Sequence, residues 1–337
     1  MCENAVNARV PVAVPGARGS SPLLKKVAGA VAATAALGAA TAAYGHFIEL
    51  NNFQLRTESL PVLPAGSPDF RILHISDMHM IPGQQKKIDF MHSLATLEPD
   101  LVMNTGDNLS HVDGMGPLLE ALDPLMDFPG VFVPGSNCYF APVFKNPARY
   151  LWQPRTPQMI EEGSRVALPI ERMHEAFESR GWTGLINRYD TLNLKGLRLE
   201  FSGVDDPHLR YDEHPGFAPG AFDEGDEPSV RIGVAHAPYM RTLHHFVQDG
   251  AQAIFAGHTH GGQVCLPGGH ALVSNCDLPP SRAKGVSKQS GIPVQVSAGL
   301  GTSRFAPVRL FCPPEAILAT LTARDKGEAD ASKGGRR

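Results

Sequence analysis

The sequence predicts an α/β domain that fills most of the chain. Apolar residues make up 42% and charged residues 19% of the 337 residues, values typical of a globular protein with a full core. Short apolar runs recur along the chain, and each ends in polar or glycine residues. Between the first two runs, Ile88, Met91 and Leu94 follow helical spacing. Strands alternating with helices favour an α/β sheet, whose functional groups lie at the carboxyl ends of its strands.

The predicted strands are runs rich in Val, Ile, Leu and Phe. They cover residues 70–76, 101–105, 130–134, 197–202, 230–235, 251–255, 293–297 and 316–321. No internal repeat is evident. The end of the chain is rich in Gly, Ala and charged residues, a composition that predicts disorder.

An uncharged segment, residues 27–44, directly follows Lys25 and Lys26. Its length and composition are typical of a membrane anchor or of the apolar part of a signal peptide. We predict a single membrane span, with the two lysines on the cytoplasmic side and the rest of the chain outside the cell membrane. Two alternatives stay open: an Ala-rich helix of a soluble protein, and a signal peptide cleaved near Ala40 or Ala42 to release a secreted protein.

The predicted organisation has a basic N-terminal segment (1–26), a transmembrane helix (27–45), a connector (46–68), a main domain (69–323) and a disordered tail (324–337). The total net charge of −4 hides an uneven distribution. The N-terminal segment contributes +3, the helix and connector together −1, the tail +2, and the main domain therefore −8. Such an acidic domain argues against a nucleic-acid partner or a nuclease, which would need a basic face. No protein partner is implied.

The cysteine pattern excludes two common kinds of site. No two cysteines have the Cys-x-x-Cys spacing of zinc fingers and thioredoxin-type proteins. We expect free, mostly buried thiols, although a pairing of Cys265 with Cys276 is left open. The five cysteines are Cys2, Cys138, Cys265, Cys276 and Cys312.

Potential metal ligands follow five of the predicted strands. They are Asp77 and His79, Asp107, Asn137, His236, and finally His258 and His260. Taken singly, each has an ordinary structural explanation as a turn residue or a hydrogen-bonded core histidine. Their ordered occurrence at successive strand ends instead indicates a metal site. Mixed nitrogen and oxygen ligands suit Mn, Fe, Zn or Ni, and two divalent cations would offset part of the domain's negative charge.

The series Asp77-x-His79, Gly106-Asp107, Gly135-x-Asn137, His236 and Gly257-His258-x-His260 resembles the calcineurin-like metallophosphoesterase superfamily. The resemblance extends over roughly residues 70–322 and is strong for the bacterial membrane-associated branch of the YkuE and YaeI type. The stretches 203–208 and 311–315 also look like that branch. The resemblance implies a two-sheet β-sandwich flanked by helices, with a site that binds two metal ions.

Carried over from the superfamily, Asp77, His79 and His260 would hold the first divalent ion. Asn137, His236 and His258 would hold the second, and Asp107 would bridge the two. A metal-bridging hydroxide would then attack a phosphate mono- or diester. A phospholipid, a nucleotide-sugar lipid or another cell-envelope phosphoester is the candidate substrate. The predicted catalytic residues are Asp107, Asn108, Asn137, Cys138 and His236.

Cys138 departs from the superfamily pattern, in which His or Asp commonly follows the ligand Asn. Three interpretations stay open: an enzyme with an altered leaving-group preference, a redox-sensitive site with a thiolate, and a slow enzyme. The alternative class is a catalytically weak phosphoglycolipid-binding or redox-sensing protein of the same fold. After Cys138, aromatic residues mix with Lys145, Arg149 and Arg155. This interval predicts either a lid beside the metals or an amphipathic helix packed on the core.

Overall fold

Two six-stranded sheets form the centre of the protein. The computed structural model describes residues 22–143, 165–219 and 228–324. The helices of these residues are α1 (Pro22–Phe47), α2 (Gln85–Leu94), α3 (Met115–Leu122), α4 (Ser136–Tyr139), α5 (Ile170–Ser179) and α6 (Met240–Gln248). The strands are β1 (Gln54–Leu63), β2 (Phe70–Ile75), β3 (Leu101–Asn104), β4 (Gly130–Phe132), β5 (Trp182–Gly184), β6 (Arg188–Leu194), β7 (Leu197–Gly203), β8 (Ser229–Val234), β9 (Ala253–Ala256), β10 (Cys265–Leu266), β11 (His270–Ala271), β12 (Gly285–Gln289), β13 (Ile292–Val296) and β14 (Glu315–Ala323).

Most neighbouring strands in both sheets are parallel. The first sheet has the order β1-β14-β2-β3-β4-β5, in which only β14 and β2 are antiparallel. The second has the order β12-β13-β9-β8-β7-β6, with antiparallel pairs only at its two edges. Because parallel strands share a direction, β2, β3 and β4 end at one edge of their sheet, and β8 and β9 end at one edge of theirs.

Apolar side chains separate the layers of the domain. Along β2, Phe70 and Ile72 belong to the core that joins the two sheets. Leu73 and Ile75, on the opposite face of the same strand, pack with residues of α2, α3 and α5. The outer face of the second sheet packs against α6 in the same way, with Phe246 in that cluster. Both sheet faces are therefore buried, which confirms the predicted two-sheet sandwich flanked by helices.

All the predicted strand runs are strands in the structure, but the predicted connector 46–68 is not a linker along its whole length. It contains β1, which pairs in parallel with β14 and buries Leu60 and Val62. The prolines of this segment argue against a central strand, yet an edge strand accepts them. Pro61 lies where the pairing of β1 shifts register.

The apolar segment predicted at 27–45 lies within α1. The chain divides into two compact units, Met1–Ala43 and Tyr44–Arg337, so the last turn of α1 belongs to the second unit. Lys25–Asn51 is long and apolar enough to cross a membrane, and a signal sequence near the N-terminus would have the same character.

Some predicted features lie outside the described residues. They include the tail beyond Arg324, most of the basic N-terminal segment, and Lys145, Arg149 and Arg155. The described cysteines, Cys138, Cys265, Cys276 and Cys312, are all buried and form no disulfide with one another, as expected.

The substitution Gly130→Ala tests the packing of the first sheet. It pairs with Trp182 of β5, and a Cβ atom at Gly130 would overlap the indole ring. We expect Gly130→Ala to lower the free energy of unfolding by about 1–3 kcal/mol, measured by urea denaturation, because overpacking forces the ring or backbone to move. Gly116→Ala is the control, because Gly116 in α3 has open space around it. Equal stability of the two variants would contradict this account.

Candidate metal centre

The seven predicted ligands lie at the carboxyl ends of five strands. Six of them form two groups, and within each group the potential ligand atoms all lie within 4.8 Å of one another. Although only one residue separates them, His258 and His260 fall in different groups. The first group is Asp77, His79 and His260, and the second is Asp107, His236 and His258.

The carboxylate of Asp107 lies between the two groups. Its Oδ2 is 3.5 Å from His79 Nε2, and its Oδ1 is 3.4 Å from His236 Nε2. Asn137 donates to the same carboxylate twice, from its backbone N to Oδ1 and from Nδ2 to Oδ2, each at 2.7 Å. Burial opposes ionisation, but His236, His79 and the Asn137 amide hold the pKa of Asp107 well below its usual range. Asp107 is therefore an anion that faces both groups.

Histidine nitrogens converge in both groups. His79 Nε2 lies 3.2 Å from His260 Nε2, and His258 Nδ1 lies 3.3 Å from His236 Nε2. Burial lowers the pKa of His79 and of His260 to about 3, so both are neutral at pH 7. Neutral imidazole is the form that binds a metal.

Backbone carbonyls fix which nitrogen of each ring faces the centre. His236 Nδ1 is 2.7 Å from Thr105 O, and His260 Nδ1 is 3.1 Å from Gly301 O. His258 Nε2 is 3.3 Å from a third backbone carbonyl, Asn275 O. Because a carbonyl only accepts, these nitrogens carry the proton and donate it, and the opposite nitrogen of each ring faces the other ligands. This arrangement fits a metal site.

His236 differs from the other histidines in its charge. Burial disfavours its protonated form, but the carboxylates of Asp107 and Asp77 outweigh burial and raise the pKa of His236 to about 10. The site therefore favours a positive charge between these carboxylates and the ring. A divalent cation meets the same demand and would displace the His236 proton.

Five of the seven ligands have a left-handed backbone. Asp77, His79, Asp107, His258 and His260 have φ values of 49°, 46°, 52°, 70° and 50°. Non-glycine residues rarely adopt this region, and the cost of about 1–3 kcal/mol each is typical of functional sites. The sharp turns after β2, β3 and β9 place these side chains at one point.

Two glycines leave the space that the ligands occupy. A Cβ atom at Gly257 would overlap Ser76 Oγ and approach the Asp77 carboxylate. A Cβ atom at Gly135 would overlap Asp107 Oδ1 and lie 2.7 Å from the His236 ring. Larger residues at either position would displace a ligand.

Arg309 supports the loops on the side of the first group. Its side chain is fully buried, and Nη2 donates to Gly299 O at 3.1 Å and to Gly301 O at 2.7 Å. Nη1 donates to Cys312 O at 3.1 Å. Gly301 O is also the acceptor of His260, so one guanidinium positions both the loop and the ring. No motif in the sequence identifies Arg309.

Asn108 and Cys138 lie away from the cavity at the metal centre. Asn108 Nδ2 is 3.7 Å from Cys138 Sγ and 3.8 Å from Met173 Sδ, in the core beneath α5. Burial and the nearby Asp107 carboxylate raise the pKa of the Cys138 thiol to about 12. Both side chains therefore contact the core under α5, and their catalytic roles stay a prediction.

A cavity of about 400 Å³ opens over the two groups. His79, Asp107, Asn137, His258 and His260 form its polar side. Its other side is mostly apolar, with residues from the segments 140–143, 264–273 and 305–306.

His208 also lines the cavity, and the sequence did not mark it as a site residue. Its ring centroid is 4.7 Å from that of His258, and its Nδ1 is 3.0 Å from Tyr239 Oη. The residue follows the end of β7, so the same strand-end argument that found the ligands could have found it.

This fold and this group of ligands define a metal-dependent hydrolase, and comparison with known proteins gives its family. Residues 70–262 match the family described as calcineurin-like phosphoesterase. The chain therefore belongs to the calcineurin-like phosphoesterase family and is a metal-dependent phosphoesterase. The predicted family is confirmed.

Two Bacillus subtilis relatives cover nearly the whole chain. The uncharacterized protein YpbG is 27% identical over 274 residues, 79% of this chain and 87% of its own. The uncharacterized metallophosphoesterase YkuE is 24% identical over 318 residues, 88% of this chain and 96% of its own. Among solved structures, TT1561 of Thermus thermophilus has a TM-score of 0.37 and 11% identity over 69% of this chain and 91% of that one. The predicted YkuE-type branch is confirmed by the first two.

Gly135→Ala tests how tightly the metal centre is built. The added methyl group would push against Asp107 and His236, so we expect bound metal per chain to fall by about half or more, measured by elemental analysis after dialysis against Mn²⁺. Gly116→Ala should keep the wild-type metal content. Full metal content in the Gly135 variant, with the fold intact by circular dichroism, would contradict the assignment of this site.

Proposed function

We propose that the protein hydrolyses phosphate mono- or diesters at a centre of two divalent metal ions, at the outer face of a cell membrane. The observation that carries the proposal is the Asp107 carboxylate, which contacts histidines of both ligand groups. Asp77, His79 and His260 would hold one ion, and Asn137, His236 and His258 the other. Their mixed nitrogen and oxygen atoms suit Mn, Fe, Zn or Ni.

When bound, two such ions acidify a water molecule and neutralise the charge that develops on the phosphoryl oxygens. The residues of the protein hold and orient the ligand atoms. Asn137 uses Nδ2 to fix the Asp107 carboxylate, which leaves its amide oxygen as the ligand atom. The carbonyls behind His236, His258 and His260 keep the ring nitrogens aimed at the centre.

The position of Cys138 bears on the leaving group. Its thiol is buried beneath the centre, so it is not placed to protonate a departing alkoxide. We therefore expect better turnover of esters with good leaving groups, such as p-nitrophenol, than of alkyl monoesters. The buried Cys138 thiol gives no specific support to the alternative of a binding or redox-sensing protein.

The N-terminal helix supports membrane attachment. Lys25–Asn51 has the length and composition of a span, and Lys25 and Lys26 at its start favour a cytoplasmic N-terminus. We keep the five-part organisation as a proposal with one change, which is that the main domain begins with β1 rather than at residue 69.

Asp107→Asn tests the proposed activity. The purified full chain, stripped with a chelator and reloaded with Mn²⁺, should hydrolyse bis-p-nitrophenyl phosphate or p-nitrophenyl phosphate. Losing a buried charge that pairs with two groups costs about 3 kcal/mol or more, so the rate should fall by roughly 10²-fold or more. Asp113→Asn, at an exposed carboxylate, is the matched control. Wild-type rates in the Asp107 variant would rule out the proposed centre.

Single replacements of His258 and His260 test whether two distinct ions bind. Because they fall in different ligand groups, each single replacement by Ala should leave about one equivalent of metal per chain, where the wild type holds two. Elemental analysis after equilibrium dialysis measures this, with the exposed His244→Ala as control. A wild-type stoichiometry of one would contradict the dinuclear centre.

A further inference from the structure

We propose that the substrate is a lipid phosphoester, whose hydrocarbon chain lies on the apolar wall of the cavity while its phosphoryl group lies at the metal centre. This inference rests on the proposed function, because it places the reacting group at that centre. It adds the substrate class and the direction of approach, from the surface of a bilayer.

The cavity has two chemically different sides. Its polar side carries the metal ligands, and its wall includes Phe140, Val143, Leu272 and Phe305. Among the lining residues that the structure describes, Arg165 is the only arginine or lysine. A nucleotide or polyphosphate would need several cationic partners beyond the metals. A ligand with one phosphoryl group and a hydrocarbon chain matches this division.

The apolar wall continues onto the surface. Leu272 is 50% exposed and Phe305 is 40% exposed, although both line the cavity. Leu266, in the β10–β11 hairpin that leads to Leu272, is 51% exposed. Phe311 follows Leu310, whose carbonyl accepts a hydrogen bond from Cys265 N, and is 44% exposed. Several exposed large apolar side chains on connected segments are a mark of contact with an apolar partner.

The end of α1 is hydrogen-bonded to the rim of the cavity, by which we mean residues 305–311. His46 Nδ1 is 2.6 Å from Pro307 O, and Arg309 N donates to Gly45 O at 3.2 Å. Phe47, one residue further, is 70% exposed. Gly45, His46 and Phe47 belong to the same compact unit as the cavity. They also form the last turn of α1, the helix that is long enough to cross a membrane.

Backbone bonds link this rim to the loop after His260. Leu310 N donates to Gln263 O at 3.0 Å, and Gln263 Nε2 donates to Ala306 O at 2.8 Å. The loop that carries a metal ligand, the exposed apolar rim and the last turn of the helix are thus one connected structure. This continuity identifies the apolar partner as the bilayer that the helix enters, and the chain of one of its lipids as the occupant of the wall.

A series of alkyl p-nitrophenyl phosphates tests the proposal. The Mn²⁺-loaded full chain in phosphatidylcholine vesicles is given the ethyl, hexyl and decyl esters, and p-nitrophenolate release is followed. All three have the same leaving group, so chain length is the only variable. We expect kcat/KM to rise with chain length, by at most about fourfold for each methylene group that the wall buries, as its transfer free energy predicts.

Leu272→Ser and Phe305→Ser should reduce the decyl-to-ethyl ratio of kcat/KM by about tenfold or more. Val286→Ser is the matched control, because Val286 is 40% exposed but lies on β12 away from the cavity lining, and it should keep the wild-type ratio. Hydrolysis of the ethyl ester without any dependence on chain length would overturn the lipid inference and leave the phosphoesterase in place. An equal loss of the ratio in the control would also overturn it. No hydrolysis of these diesters or of the monoester p-nitrophenyl phosphate would instead contradict the proposed function.

Discussion

The buried carboxylate of Asp107 contacts histidines that follow strands of both sheets. It is 3% exposed, follows β3 of the first sheet, and contacts His236 from β8 of the second. A charge in this position is tolerable only if its partners are fixed around it. The left-handed turns, the glycines that leave space for the ligands and the double hydrogen bond from Asn137 all serve that requirement.

The metal centre carries a cost in folding free energy, which arises at several of its residues. Several ligands have a strained backbone, and His236 is held in a charged form in the protein interior. Arg309 offsets part of this cost by binding the carbonyls of the loop that carries Gly299 and Gly301. Regular packing of two sheets and flanking helices provides the remaining stability, and the candidate ligands lie in short turns directly after the buried strands.

The sequence predicted the central strands and the candidate ligands that cluster in the structure, because both depend on local patterns. A buried parallel strand is a short apolar run, and a ligand follows directly where it ends. The missed strands are short or lie at edges: β5 has three residues, and the edge strand β1 contains Pro61 and the polar run Arg56-Thr57-Glu58-Ser59. The orientation of Asn108 depends on its contacts with Cys138 and with Met173, which are far away in sequence. Arg309 acts through contacts between distant loops, so no spacing rule marks it.

The bonds between the last turn of α1 and the cavity rim also decide where the chain can be shortened. Glu49 Oε1 accepts a hydrogen bond from the buried Cys312 N at 2.6 Å, and Gly45 O accepts one from Arg309 N. Proteolytic processing near Ala40 or Ala42 would leave both acceptors in place. A recombinant domain that starts after Asn51 would lose them and strand two donors next to the loops of the metal centre. The catalytic unit therefore begins inside the hydrophobic helix, and removing that helix completely is not a neutral way to obtain a soluble enzyme.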